Sequence, residues 1–206
     1  MASTVIVSYD GTDNDRDALA LGRVFAQAGA SLELAYVRHS AADGKEPPEP
    51  EDGLPAHVVV AGSTPEGLRR LALERGAQLV VFGSEYRTAK GHVDPQKSAR
   101  RLIEGGPIAV ALAPAGFHSD TAFQIETVGA IGEDGDPCVL ETADLLASRL
   151  GGTIAPRATK NVDLMVVGSK AGTVTGRVTI SAAAEYLIEL ARCPVVVLPR
   201  GVALAF

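Results

Sequence analysis

Residues 79–114 read LVVFGSEYRTAKGHVDPQKSARRLIEGGPIAVALAP, and residues 164–201 read LMVVGSKAGTVTGRVTISAAAEYLIELARCPVVVLPRG. By residue type, each is an apolar β-branched run, a Gly-Ser turn, a polar loop, a short helical stretch and a second, Pro-led apolar run. The order strand, loop, helix, strand therefore occurs twice. Where a parallel strand ends in glycine and feeds a loop and a helix, backbone N–H groups and the positive end of a helix dipole converge, an arrangement suited to phosphate. Any parallel α/β protein also needs Gly-rich turns at such places, so the repetition carries the reading.

The repeat extends outward from these stretches. Thr4–Tyr9 is nearly continuously apolar, as a strand buried on both faces should be, and it ends at Asp10-Gly11. Thr12 with Asp15 three residues on predicts a capped helix start, Ala18, Leu19, Leu21, Val24, Phe25 and Ala28 give one apolar face, and Gly29 predicts the stop. Ser31–Val37 makes a second strand. Residues 38–56 are rich in Pro and acid and predict a mobile surface loop. His57–Ala61 predicts a third strand, Thr64-Pro65 a helix start closed by Gly76, Leu79–Phe82 a fourth strand and Ile108–Leu112 a fifth. No crossover helix is visible between the second and third strands, which leaves their pairing open.

After a linker, the pattern restarts. Thr127 falls on Thr4, Asp136 on Asp13, Ala143 on Ala20 and Gly152 on Gly29, a constant offset of 123. Asp136-Pro137 predicts a helix start. Gly168-Ser169 then falls on Gly83-Ser84 at an offset of 85, so the second copy lacks 38 residues (123 − 85), corresponding to the loop, the third strand and the second helix. The expected organisation is a complete α/β domain over 1–114, a linker over 115–123 and a truncated α/β domain over 124–206. Both are expected to be Rossmann-like parallel-sheet modules.

The net charge of −6 argues against a nucleic-acid footprint, yet Arg87, Lys90, Lys97, Arg100 and Arg101 face only Glu85 and Asp94 in the first loop. In the second half Lys160, Lys170 and Arg177 face Asp163. Cys138 and Cys193 form neither a disulfide framework nor a zinc pattern and are expected as small core residues in a reducing cytoplasm. No apolar run approaches membrane-spanning length, and no targeting segment is expected.

In doubly wound sheets, ligands bind beyond the carboxyl ends of the strands where strand order reverses. With the first strand central, that point lies between strands one and four. Asp10 ends one and Gly83-Ser84 the other, so a carboxylate for ribose hydroxyls and a loop for phosphate are expected together.

These residues resemble the universal stress proteins, over nearly all of both halves. Asp10 matches the family's strand-ending Asp, Val37 falls where its second strand meets adenine, and Gly83 matches the first glycine of the phosphate loop. Cys193-Pro194-Val195 is similar to the start of the family's last strand. The resemblance implies an adenine nucleotide alpha hydrolase-like fold and a stress-response role without catalysis. It also implies binding of ATP or another adenine nucleotide, with Mg²⁺ as a possible companion. The nucleotide-binding set it implies is Asp10, Val37, Gly83, Ser84, Arg87, Lys97 and Ser98, with Gly168, Ser169 and Ser181 in the second half. Arg87, Lys97 and Ser98 are expected to substitute side-chain contacts for lost backbone ones. The pattern also departs from the family's. Tyr86 and Ala171 stand at the second glycine, Gln96-Lys97 and Ser181-Ala182 at the later Gly-Ser/Thr pair, and Glu133 replaces the Asp in the second half. The family pairs its last strands across a dimer, which implies an intramolecular pseudo-dimer here, with a further homodimer or an unidentified protein partner as options.

Three other readings stay open. Gly129, Gly132 and Gly135 follow a strand and precede a helix, as a dinucleotide turn would, with Arg157 available for a 2′-phosphate, although the spacing is not G-x-G-x-x-G. An enzyme finds little support, because His39, His57, His92 and His118 are scattered and no hydrolase or P-loop motif occurs. The third is a ligand-free interaction scaffold with degenerate loops.

Overall fold

The computed structural model describes residues 3–40, 46–49, 53–120, 123–155 and 161–206. Arg157 and Lys160 lie outside the described residues, as do 41–45 and 50–52 of the loop expected to be mobile. The elements are β1 (Thr4–Ser8), α1 (Asp13–Gln27), β2 (Ser31–Arg38), β3 (Ala56–Val60), α2 (Thr64–Arg75), β4 (Ala77–Gly83), α3 (Lys97–Ile103), β5 (Ala109–Ala113), β6 (Thr127–Ile131), α4 (Pro137–Leu150), β7 (Thr153–Ile154), β8 (Leu164–Val167), α5 (Ala182–Leu190) and β9 (Val195–Val197).

All nine strands form one sheet in the order β3-β2-β1-β4-β5-β9-β8-β6-β7. Every pairing is parallel except β5 with β9, where Val110, Ala111 and Leu112 face Val197, Val196 and Val195. The two Pro-led apolar strands thus cover each other's edges, removing the exposed ladders that each half would otherwise present. Strand order reverses at β1/β4, as expected. β2 and β3 pair in parallel although no helix joins them among the described residues, which resolves the pairing the sequence left open.

Alternate residues of each strand serve opposite faces. Val5, Val7, Leu79, Val81, Val128, Val166 and Val196 pack with Leu21 and Phe25 of α1 and Ala143 and Leu146 of α4. Ile6, Val80, Phe82, Val110, Leu112, Val167 and Val195 pack with Leu68 and Leu71 of α2, Leu102 of α3 and Ile188 of α5. The result is three layers, with α1 and α4 on one face and α2, α3 and α5 on the other.

The caps follow local chemistry with one correction. Ser63 rather than Thr64 precedes α2, its hydroxyl accepting from the Glu66 N–H at 3.4 Å, and Gly76 ends the helix at φ +62°. Asp136 caps α4 through the Cys138 N–H, as expected. The linker is fastened down by Asp17 of α1, whose carboxylate accepts from the backbone N–H of Gly116 and of His118 (both 2.8 Å) and pairs with His118 Nδ1 at 2.6 Å. Cys193 is buried and burial pushes its thiol up to about 12, consistent with a core role; Cys138, in the first turn of α4, is only half-buried, so the expected core role holds for one cysteine and not for the other, and both are free. No helix of the described residues is long and apolar enough to cross a membrane.

Candidate functional site

The carboxyl ends of β1 and β2 and the first turns of α1, α2 and α3 surround a cavity of about 730 Å³. Asp10, Val37, Arg38, His39, Glu46 and Ser98 are among its walls. Asp10, Val37 and Ser98, which lie far apart in the sequence, are therefore brought together over the ends of β1 and β2, beside the point of strand-order reversal.

The β1–α1 turn is held by one buried carboxylate. Asp15 Oδ2 accepts from the Asp10 N–H (2.7 Å), the Thr12 N–H (3.0 Å) and the Thr12 hydroxyl (3.0 Å). Burial, followed by the hydrogen bond and charge of the Asp10 side chain, pushes the Asp15 carboxyl up to about 7. Gly11 sits in this turn at φ +84°, with Pro48 of the folded-back loop 3.0 Å from where its Cβ would be. The loop after β2 thus reaches back over the cavity.

Gly83 and Ser84 do not line the cavity, and their reasons for being there are structural. A Cβ on Gly83 would lie 2.0 Å from the Asn14 carbonyl oxygen, so glycine lets the first turn of α1 cross the end of β4. Ser84 is buried, its Oγ donating to the Ala113 carbonyl at 2.7 Å and accepting from the Asp94 N–H at 3.2 Å. Ser169 does the same with the Leu198 carbonyl at 2.8 Å and the Thr179 N–H at 3.1 Å. Each of these partners is displaced by 85, the offset seen in the sequence. The loop backbones repeat it too: Glu85 N–H to Asp94 O, Gly91 N–H to Ala115 O and Ala115 N–H to His92 O recur as Lys170 to Thr179, Gly176 to Arg200 and Arg200 to Arg177. Two loops of different sequence are thus one fold.

Of the remaining expected residues, Arg87 is exposed with its guanidinium 4.9 Å from the Tyr86 ring centre, and Lys97 is exposed; neither lines the cavity. Arg100 pairs with Asp94 at 2.9 Å and with Glu185 at 3.5 Å, beside a smaller cavity of about 150 Å³ between α3 and α5. None of the first loop's basic residues Arg87, Lys90, Lys97, Arg100 and Arg101 lines the crevice.

The corresponding crevice of the second half is crossed by its own side chains. Glu133, in the place of Asp10, accepts from the Ala171 N–H at 3.4 Å, and Arg200 donates to the Glu133 carbonyl at 3.1 Å. Asp136 accepts from the Gly201 N–H at 3.0 Å, and its other oxygen from the Cys138 N–H at 3.2 Å. Gly168 is required by Val139, 2.5 Å from its would-be Cβ, and the Ser181 hydroxyl caps α5 through the Ala184 N–H. A dinucleotide turn over Gly129, Gly132 and Gly135 would need the Cys138 N–H that Asp136 occupies, and Gly129 lies inside β6.

This geometry can be set beside known proteins. No family model matches the chain, and no curated protein matches it in sequence. Solved structures do. A universal stress protein from Archaeoglobus fulgidus DSM 4304 superposes with a TM-score of 0.67 over 96% of this chain and 98% of that one, at 14% identity. This chain has the universal stress protein fold. A candidate universal stress protein from Pseudomonas aeruginosa UCBPP-PA14 superposes at TM-score 0.64 and 14% identity, over 98% of this chain and 94% of that one. A functionally unknown protein from Pseudomonas aeruginosa PAO1 gives 0.67 and 12%, over 97% and 93%. Near-complete coverage in both directions means that the universal stress fold accounts for the whole nine-stranded architecture.

Histidines expected to be scattered are so. His57 Nε2 lies 2.8 Å from Glu33, itself held by Arg75 at 2.7 and 2.9 Å; His118 serves Asp17. Among the described residues no cluster of His, Cys, Asp and Glu could hold a metal ion. Sequence reasoning missed Arg38, His39, Glu46, Thr64 and Gln96 as cavity walls. Arg38 and His39 could have been found, because Arg38 ends β2 and His39 follows it on the side where Asp10 follows β1. Glu46 could not, since its place depends on how an aperiodic loop folds back.

Proposed function

We propose that this chain is a regulatory protein of the universal stress type, binding an adenine nucleotide, ATP or another, in the crevice of its first half without turning it over. The observation that carries the reading is the cavity beyond the carboxyl ends of β1 and β2, beside the strand-order reversal, with Asp10, Val37 and Ser98 on its walls. Asp10 accepts ribose hydroxyls, Val37 offers an apolar surface to the base, and Ser98 supplies a hydroxyl. Mg²⁺ would enter with the nucleotide rather than through a resident protein site. The two free thiols support work in a reducing cytoplasm.

The test is calorimetric titration of ATP, with and without Mg²⁺, into protein first checked for copurified nucleotide by denaturing release. Binding that Asp10→Ala abolishes supports the reading. No heat from ATP, AMP or adenosine and no released nucleotide would sink it, leaving an interaction scaffold. That second reading is favoured by one observation: Tyr186, Leu187 and Leu190 of α5 are exposed together on one helix face (61%, 37% and 53%).

A further inference from the structure

With its own acceptors the chain fills two of the places where a phosphate could bind, the β1–α1 turn and the loop after β4. The N–H groups of Asp10 and Thr12, at the start of the longest helix, point at the Asp15 carboxylate at 2.7 and 3.0 Å. In the loop after β4 the Asp94 N–H is taken by Ser84 Oγ at 3.2 Å, and the Glu85 N–H by the Asp94 carbonyl at 2.9 Å. Tyr86 occupies a position where a glycine would let a phosphate approach the backbone. The loop cations that could replace those donors, Arg87 and Lys97, lie off the cavity. Among the described residues, its walls carry the carboxyl groups of Asp10, Asp15 and Glu46 against the cationic Arg38, with His39, Tyr9 and Tyr36 as the other titratable groups, on a protein of net charge −6.

Resting on the adenine reading above, we infer that the crevice recognises the nucleoside end of its ligand and disfavours phosphate, so that affinity falls in the order adenosine, AMP, ATP. The ribose diol donates to carboxylate, which suits an acidic wall; a polyphosphate there meets more acidic groups than basic ones, with Arg38 as the one arginine or lysine among the described wall residues. A phosphate charge held on the order of 8 Å from one carboxylate in water is disfavoured roughly 2.4-fold, so the charges of ATP together amount to about tenfold per facing carboxylate.

The experiment is titration of the full chain with adenosine, AMP and ATP in Mg²⁺-free buffer, repeated with Mg²⁺ and at low and high NaCl. The expected result is adenosine at least about tenfold tighter than ATP, with the affinity for ATP rising as salt screens the repulsion and that for adenosine unchanged. Glu46→Gln should narrow the gap between them by about tenfold, a readout that a purely structural Glu46 would not move. ATP binding tighter than adenosine, in either buffer, or ATP affinity falling with salt, would overturn the selectivity while leaving the adenine reading in place. If neither adenosine nor a nucleotide binds, both fall.

Discussion

Leu102 and Leu187 are the same residue in the two copies, displaced by 85, yet α2 exists only in the first. Leu102 shares an apolar layer with Leu68, Leu71 and Ala72 and is 0% exposed; Leu187, on a helix that no such neighbour covers, is 37% exposed. Truncating a fully buried leucine to alanine removes about 2.4 kcal/mol of transfer free energy and leaves a cavity, for a total of about 3–4 kcal/mol. At Leu187 the transfer contribution scales with the buried fraction to about 1.5 kcal/mol, and solvent fills the space left behind. Urea unfolding of Leu102→Ala and Leu187→Ala, followed by circular dichroism, measures both. With a slope of roughly 2.5 kcal/mol/M for a chain of this size, the midpoint should fall by about 1.2–1.6 M for the first and by no more than about 0.6 M for the second. Equal shifts at unchanged slope would refute the reasoning, because they would mean that the missing helix leaves α5 as well packed as α3.

Ser84→Ala and Ser169→Ala should each cost about 1–3 kcal/mol, since each removes a buried hydrogen bond to a carbonyl and the acceptor of a half-buried N–H; being far apart in the fold, they should add within about 0.5 kcal/mol in the double variant, read by the same unfolding curves. Arg87→Ala with Lys97→Ala should leave adenosine or nucleotide affinity unchanged in calorimetry, because neither side chain lines the cavity; a loss of more than about threefold would contradict the loop geometry. The Arg75 guanidinium first, and His57 after it, hold the Glu33 carboxyl below its ordinary value against the opposing effect of burial. A depressed folded-state value means stability that is present above the ordinary carboxylate range and lost as pH falls through the depressed one. Midpoint against pH should therefore show an acid loss that Glu33→Gln flattens, and an unchanged acid limb in the variant would remove Glu33 from the account.

The fold was legible because its signals are periodic and repeated. Continuous apolar runs identified strands buried on both faces, the offset of 123 identified the second β1–α1 unit, and the offset of 85 identified the shared loop and last strands. The Pro-led runs PIAVALA and PVVVLP announced edges in need of cover, and they found each other. Ser63 was missed as a cap because Ser-Thr-Pro offers two hydroxyls in succession, and only backbone geometry decides between them. The β2–β3 pairing was not legible, since nothing in an aperiodic, proline-rich connection encodes where its far end returns.

The site was less legible than the fold for a physical reason: the same residue types serve phosphate binding and loop construction. A glycine that ends a strand can admit a ligand or a neighbouring helix, and at Gly83 it admits the Asn14 carbonyl. A serine after it can donate to phosphate or close its own loop, and Ser84 closes the loop. The recurrence of the Gly-Ser pair in the second half, which in the sequence strengthens a binding reading, is matched by recurrence of the structural hydrogen bonds at Ser169. Repetition therefore testifies to a shared loop fold, and function has to be argued from what the two copies do not share. They differ at the strand-ending acid, where Asp10 borders the cavity while Glu133 turns to Ala171. They also differ beyond the last strand, where Arg200 reaches across to Glu133 but its counterpart at the same offset is Ala115, too short to cross. An arginine spans one crevice, and at the same place an alanine leaves the other open.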